Sequence, residues 1–223
     1  MLLRLLTLCL LLWPITASAQ QKKVWNPGIW EKEIAQFEAG DKKRMPPSEG
    51  VLFVGSSSIR LWKVERSFPD LPVINRGFGG SHLGDSLYYA DRIILKYSPK
   101  SIVLYAGDND LADGVSPEQL GREFQQLTSL IHEKLPRTHI YVIGIKPSPA
   151  RWALFDKQTE TNQLIARLCA QDARLHYVDI VKLMLNDAGR PRPELYKEDG
   201  LHVNDKGYAL WASVLKPLLT YTP

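Results

Sequence analysis

The strongest constraint on the fold is a series of short, uninterrupted apolar runs that alternate with segments of helical spacing. An uninterrupted run is typical of a strand buried on both faces, because a strand with one face in water alternates apolar and polar residues. Three candidate strands are runs of this kind, at residues 51–54, 102–105 and 140–143. A weaker candidate spans residues 175–178, and a fifth, short one spans residues 72–75. The helical patterns span residues 30–39, 83–97, 117–135, 155–173 and 206–219. This alternation predicts an α/β fold, a three-layer α/β/α sandwich with about five parallel strands.

Length and composition fit one globular domain. The chain has 223 residues, of which 44% are apolar and 23% are charged, an ordinary composition for a folded domain. The formal net charge is +4, but the Lys and Arg residues form no run long enough to follow a phosphate backbone. We therefore expect no nucleic-acid partner.

The start of the chain has the features of a secretory signal peptide. Arg4 supplies a positive charge, residues 5–12 form an apolar run, and residues 17–19 fit the small-residue cleavage rule. The apolar run is shorter than the roughly 20 residues that span a bilayer, and an uncleaved N-terminal anchor is the alternative. We expect a signal peptide at residues 1–19 and a single domain at residues 20–223, exported to the periplasm or secreted, with no stable membrane span after cleavage.

Removal of that leader leaves one cysteine, Cys169, which has no partner for a disulfide within the chain. Its helical spacing with Ile165 predicts that it is a buried small hydrophobic residue. The core, and not a disulfide framework, must then stabilise the mature chain.

A serine-rich junction follows the first predicted strand, where Gly55-Ser56-Ser57-Ser58 leads into a helical segment. In open parallel sheets, sites form at the loops that leave the carboxyl ends of the strands. A serine at a helix start exposes its hydroxyl beside backbone N–H groups that can stabilise an oxyanion. The same residues also suit a helix cap or a phosphate-binding loop, although the sequence lacks the G-x-x-x-x-G-K-[ST] pattern.

Two more loops follow predicted strands. Residues 77–80 contain three glycines, which permit close approach of the backbone to a substrate carbonyl. Residues 107–110 contain Asn109, whose amide could donate a hydrogen bond to an oxyanion. Each loop also suits a tight turn, so neither is specific by itself.

Near the C-terminus, Asp199 precedes His202 by three residues, in a loop before a helical segment. An aspartate at this spacing can accept from the imidazole Nδ1–H, which leaves Nε2 free to take a proton from a serine hydroxyl. An ordinary polar loop is the alternative. The four motifs together are far more specific than any one of them.

In this order, the motifs resemble the SGNH hydrolases, also called the GDSL esterase/lipase family, from about Val51 to Leu219. The resemblance is closest to the branch that includes the catalytic subunits of platelet-activating-factor acetylhydrolase, and it implies a flavodoxin-like fold. It implies a catalytic triad formed by Ser57, Asp199 and His202. It also implies an oxyanion hole formed by Ser57, Gly80 and Asn109.

The sequence departs from the family pattern in its first block, which usually reads Gly-Asp-Ser and here has Ser56 in place of the aspartate. Ser56 and Ser58 are therefore adjacent alternatives to the nucleophile position. In the second block, Gly79 and Gly77 are alternatives to Gly80.

The resemblance implies hydrolysis of a small-molecule, glycan or lipid ester without a metal ion or an organic cofactor, and the sequence contains no H-E-x-x-H metal motif. We expect an acyl-enzyme mechanism and short acyl groups, since no long hydrophobic lid segment is evident. One alternative is an exported carbohydrate-binding module with the same fold and no turnover. Another is a flavin or nucleotide binder that uses the serine-rich loop for phosphate.

Overall fold

A sheet of five parallel strands organises the molecule, which the computed structural model describes over residues 25–220. The strands are β1 (Val51–Gly55), β2 (Val73–Gly77), β3 (Ser101–Tyr105), β4 (His139–Ile143) and β5 (Leu175–Val178). Their order is β2-β1-β3-β4-β5, and every neighbouring pair is parallel. This is the flavodoxin-like order, in which the connections change direction between the first and third strands. The predicted α/β fold with five parallel strands is confirmed.

Helices connect the strands and flank the sheet. They are α1 (Glu31–Lys43), α2 (Ser57–Arg60), α3 (Val64–Ser67), α4 (Leu83–Tyr88), α5 (Ala90–Ile93), α6 (Asp108–Ala112), α7 (Pro117–Lys134), α8 (Phe155–Cys169) and α9 (Asp205–Thr220). Short 3₁₀ turns lie at Pro27–Trp30, Leu95–Tyr97, Pro149–Leu154, Lys182–Met184 and Pro193–Leu195.

Alternate residues of each strand pack into two separate cores. On one face, Leu52 and Val54 of β1 pack with residues of α1, α4, α5, α7 and α8. On the other face, Val51 and Phe53 pack with residues of α3 and α9. Since side chains alternate across a strand, a run that is apolar throughout gives both faces of the sheet a buried surface. The sheet is therefore the middle of three layers, as predicted.

The helix predicted over residues 83–97 is wrong as a continuous element, because the chain divides it into α4, α5 and a 3₁₀ turn. The first break lies at Tyr89, whose backbone has φ −94° and ψ 10°, and the second lies at Ile94, with φ −125° and ψ −66°. The ring of Tyr89 is buried and packs edge-on against Phe78, and its hydroxyl donates to the Pro27 carbonyl at 2.9 Å. These contacts with distant parts of the chain fix Tyr89 in a geometry that an uninterrupted helix does not provide.

Cys169 ends α8 and is buried, as its spacing predicts. Burial raises the pKa of its thiol to about 12, so the thiolate that would react is scarce at neutral pH.

The predicted signal peptide at residues 1–19 lies outside the described residues. Over residues 25–220, no helix has the length and apolar character that a membrane crossing requires.

Candidate active site

The serine-rich junction lies at the carboxyl end of β1, an interior strand of the sheet. Gly55 closes the strand with φ +137°, and a Cβ there would lie 1.9 Å from the Tyr105 carbonyl oxygen of the neighbouring β3. Only glycine fits this close approach, because it has no Cβ and tolerates a positive φ. Ser56 then takes an extended conformation as the N-cap of α2, and Ser57 is the first residue of that helix.

Ser57 lies within hydrogen-bond distance of His202, although 145 positions separate them in the sequence. The distance between Ser57 Oγ and His202 Nε2 is 3.0 Å, and the distance between His202 Nδ1 and Asp199 Oδ2 is 2.6 Å. The carboxylate accepts from Nδ1, so the neutral imidazole carries its proton there and presents Nε2 as an acceptor to the serine hydroxyl. The structure thus brings together the three residues that the sequence singled out.

Asp199 is held by its own turn as well as by the imidazole. Its Oδ1 accepts from the backbone N–H groups of Leu201 and His202, both at 2.9 Å. Partial burial tends to raise the pKa of Asp199, but the hydrogen bonds from His202 and from the two amides outweigh that effect and lower the pKa to about 2. The residue is therefore an anion at neutral pH, and its charge lies directly against the imidazole.

The turn that carries His202 is fixed from the other side by Asn204. Its Nδ2 donates to the carbonyls of Glu194 and Tyr196 at 2.9 and 2.8 Å. Its Oδ1 accepts from the backbone N–H of Lys206, which caps the start of α9. The histidine therefore lies between a capped helix and a hydrogen-bonded turn, and its orientation does not depend on Asp199 alone.

The adjacent serines have other positions. Ser56 and Ser58 are buried, whereas Ser57 is half-buried. The backbone carbonyl of Ser58 accepts from the Tyr208 hydroxyl at 2.9 Å, which ties that residue to α9. Of the three candidates, Ser57 is the one that reaches the histidine.

The glycine-rich loop follows β2. Gly77 is the last residue of β2, and the N–H of Gly77 donates to the Asn75 side chain at 2.9 Å. Gly79 lies against the Arg60 guanidinium, which a Cβ would approach to 2.8 Å. Gly80 is exposed, has φ +75° and borders an open cavity of about 720 Å³. The lining of that cavity includes neither Ser57 nor His202, so the structure separates the glycines by exposure alone: Gly77 is buried, whereas Gly80 is open to solvent.

Asn109 belongs to α6, directly after β3, and contacts the same loop. Its Nδ2 donates to the Ser81 carbonyl at 3.0 Å, next in sequence to Gly80. Its Oδ1 accepts from Arg151 Nη2, also at 3.0 Å. Gly107, with φ +108°, turns the chain from β3 into α6 and so places the asparagine at the strand end.

A buried ionic network lies behind Asn109, and sequence reasoning missed it. Asp108 is 4% exposed and contacts Lys146 Nζ at 2.7 Å and Arg151 Nη1 at 3.0 Å. Burial tends to raise the pKa of Asp108, but the charges of Lys146 and Arg151 outweigh that effect and lower it. The signal in the sequence was Lys146 itself, a cation three residues after the apolar run that forms β4.

A nucleophile, a base and an anion that orients the base make this arrangement competent for nucleophilic attack on a carbonyl. The N–H groups at the start of α2 and the Asn109 amide are donors of the kind that an oxyanion requires. Among residues 25–220, His, Cys, Asp and Glu form no group of three or more that could hold a metal ion.

Comparison with known proteins matches the chain to one family and to several solved folds. The model of the GDSL-like lipase/acylhydrolase family matches residues 60–210, a span that contains Gly80, Asn109, Asp199 and His202 and begins just after Ser57. Subunit alpha1 of human platelet-activating factor acetylhydrolase IB is 25% identical over 219 residues, which cover 92% of this chain and 89% of the relative.

Two solved structures show the same fold. A GDSL-like lipase from Bacteroides thetaiotaomicron superposes with a TM-score of 0.66 at 21% identity, over 87% of this chain and 97% of that one. A catalytic mutant of an acetylxylan esterase from Geobacillus stearothermophilus superposes with a TM-score of 0.61 at 11% identity, over 76% of this chain and 94% of that one.

Proposed function

The chain belongs to the GDSL-like lipase/acylhydrolase family and is an ester-hydrolysing serine hydrolase, and from this premise we propose that it cleaves short acyl esters through an acyl-enzyme on Ser57. The observation that carries the proposal is the hydrogen-bonded series Ser57–His202–Asp199. In it, each group has the partner that its role requires.

In the first half of the reaction, Ser57 Oγ bonds to the ester carbonyl carbon while its proton passes to His202 Nε2. The carbonyl oxygen becomes an oxyanion, which accepts from the backbone N–H groups of Ser57 and Gly80 and from the Asn109 amide. The imidazolium then gives its proton to the oxygen of the departing alcohol, the bond between that oxygen and the carbonyl carbon breaks, and the acyl group remains on Ser57.

In the second half, water attacks the acyl-enzyme and gives one proton to His202 Nε2. The tetrahedral intermediate collapses, the proton returns to Ser57 Oγ, and the carboxylic acid leaves. Throughout, Asp199 holds the imidazole through Nδ1 and offsets its positive charge. Asp199 supplies this negative charge at neutral pH, since its pKa is lowered to about 2.

Two features support a short acyl group. Platelet-activating factor acetylhydrolase and acetylxylan esterase, by their names, act on acetyl groups, and both resemble this chain. The chain between Ser57 and β2 also contains no long apolar lid helix, since α2 and α3 have four residues each.

The test is hydrolysis of p-nitrophenyl esters, from acetyl to dodecanoyl, by the protein that begins at Gln20. Replacing Ser57 by Ala is expected to lower kcat by a factor of at least about 10³, since removal of a protease's nucleophile costs about 10⁶. Ser56→Ala is the matched control, because it removes the same atom from the preceding residue and leaves the Ser57–His202 pair in place.

The expected result is activity that is highest on acetyl and butyryl esters, is lost in Ser57→Ala and is kept in Ser56→Ala. If Ser57→Ala turns the esters over as fast as the unmodified protein does, the assignment of the nucleophile is overturned. Turnover on no ester, with binding to glycans, would favour the carbohydrate-binding alternative.

We also propose that the chain is exported and matured by cleavage after Ala19, on the sequence pattern of residues 1–19 alone. Mass spectrometry of the protein recovered from the periplasm or medium is expected to give an N-terminus at Gln20. Recovery of the full-length chain in the membrane fraction would instead favour the uncleaved anchor.

A further inference from the structure

The side-chain amide of Asn109 has two possible orientations, and its contacts select one of them. A guanidinium only donates hydrogen bonds and a backbone carbonyl only accepts them. Arg151 Nη2 donates to Oδ1, and Nδ2 donates to the Ser81 carbonyl, each at 3.0 Å. The reversed amide would direct its NH₂ at the guanidinium and its oxygen at the carbonyl, so both contacts would become repulsive.

This selection matters because only the nitrogen end of the amide can donate to an oxyanion. Nδ2 carries two hydrogens, and the bond to Ser81 uses one of them. The second hydrogen is the one available to a substrate. The positive charge on Arg151 at the oxygen end draws electron density from the amide and makes that hydrogen a stronger donor.

Arg151 is itself held by buried charges. Its Nη1 lies 3.0 Å from Asp108 Oδ1, and the second carboxylate oxygen of Asp108 lies 2.7 Å from Lys146 Nζ. Lys146 is 1% exposed, and its ammonium also donates to the Tyr105 hydroxyl at 3.2 Å. Gln158, on α8, donates to Asp108 Oδ1 at 3.3 Å. Lys146 and Gln158 thus hold the carboxylate that binds the Arg151 guanidinium.

A network of this kind is costly to bury, because its charges lose their hydration. Replacement of such a network by hydrophobic residues often leaves a protein equally stable, so stability alone does not explain its presence. Its members nevertheless meet directly behind Asn109. Arg151 is the one member that also reaches the asparagine, and its side chain is 21% exposed.

We propose that Arg151 is a positioning residue that sets the orientation and the donor strength of the Asn109 amide, and that Asp108 and Lys146 hold its guanidinium for this task. The inference rests on the proposed function, since it assigns a support to the proposed oxyanion donor. The proposal adds Arg151, a cation between β4 and α8, to the site. The other residues of the site lie in the loops that follow β1, β2 and β3 and in the loop that precedes α9.

The first experiment compares Arg151→Met with Arg151→Lys on p-nitrophenyl acetate. Loss of one charge-assisted hydrogen bond is expected to lower kcat about ten-fold in Arg151→Met, with KM changed by less than about two-fold, because the oxyanion exists only beyond the ground state. Arg151→Lys keeps the charge but not the two-nitrogen fork, so its kcat is expected to lie between those of Arg151→Met and the unmodified protein.

The second experiment is a double-mutant cycle with Asn109→Ala. If Arg151 acts through the asparagine, adding Arg151→Met to Asn109→Ala is expected to change kcat by less than about two-fold. The same ten-fold loss in both backgrounds would overturn the proposal and would show a direct contact with substrate or a general loss of structure. An effect that falls on KM alone would overturn it as well.

Two controls separate the possible failures. Urea unfolding of each variant identifies a loss of the fold, and if Arg151→Met does not fold, the cycle with Arg151→Lys carries the same prediction at smaller amplitude. An inactive Ser57→Ala beside a fully active Arg151→Met would refute this inference and leave the proposed function standing. An active Ser57→Ala would refute the proposed function itself.

Discussion

Asp110 should make the protein less stable as the pH rises, which is the reverse of the usual behaviour of a buried carboxylate in an ion pair. It is fully buried in α6, where Oδ1 accepts from the Leu83 N–H at 2.9 Å and Oδ2 has no hydrogen-bond partner among the described residues. Burial raises its pKa from 3.8 to about 6, and the charge of Glu123 adds to that effect while His82 opposes it.

The magnitude follows from linkage. The folded state holds the Asp110 proton more tightly than the unfolded state, so the stability from this proton is fully present below pH 3.8 and is lost as the pH rises to about 6. A shift of about two units at ~1.36 kcal/mol each makes the total change about 3 kcal/mol. Asp110→Asn cannot titrate and keeps the acceptor for the Leu83 N–H, so it should not show this loss.

Urea unfolding at a series of pH values from 4 to 8 measures the effect. The free energy of unfolding of Asp110→Asn, minus that of the unmodified protein, is expected to increase by about 2 kcal/mol across this range, because part of the total change occurs below pH 4. Asp187→Asn, at an exposed position, is the control and should leave the difference flat. Parallel curves for Asp110→Asn and the unmodified protein would refute the reasoning, and a difference of opposite sign would show that ionised Asp110 has a cationic partner.

Two further predictions concern the orientation of the base and the packing of the sheet. Asp199→Asn is expected to lower kcat on p-nitrophenyl acetate by about 10²–10⁴-fold at an unchanged urea midpoint, because its NH₂ would force the proton of His202 from Nδ1 to Nε2; a loss below ten-fold would contradict that role. Gly55→Ala is expected to prevent folding or to cost more than about 4 kcal/mol, since its Cβ would lie 1.9 Å from the Tyr105 oxygen. Gly40→Ala, in α1 with open space around its Cβ, should instead stabilise by about 0.5–1 kcal/mol in the same urea assay.

The central strands were predictable because burial on both faces leaves a signal that is local in the sequence. Every residue of β1 and of β3 is buried, and each strand appears in the sequence as an uninterrupted apolar run. β5, at the edge of the sheet, has three half-buried residues, and its sequence pattern is correspondingly weaker. That the loops of Ser57 and Asn109 leave the same edge of the sheet was predictable too, because the carboxyl ends of parallel strands lie at one edge.

Contacts between distant segments were not predictable, because no local pattern records them. The break at Tyr89 depends on a hydrogen bond to a carbonyl 62 residues away. The contact of Arg151 with Asn109 joins positions 42 residues apart, and the contact of Lys146 with Asp108 joins positions 38 apart. An isolated cation or tyrosine in the sequence does not show which partner it meets, so the helix and the support of the site required the structure.

The 145-residue separation of Ser57 and His202 has a consequence for the order of events in folding. α9 begins three residues after His202 and contributes Trp211 and Leu215 to one of the two cores, so the histidine reaches the serine only when the last helix docks. Long-range closures of this kind are slow relative to local helix formation. Recovery of esterase activity after dilution from urea should therefore lag behind recovery of helical circular dichroism, and a nascent chain that still lacks α9 should remain inactive.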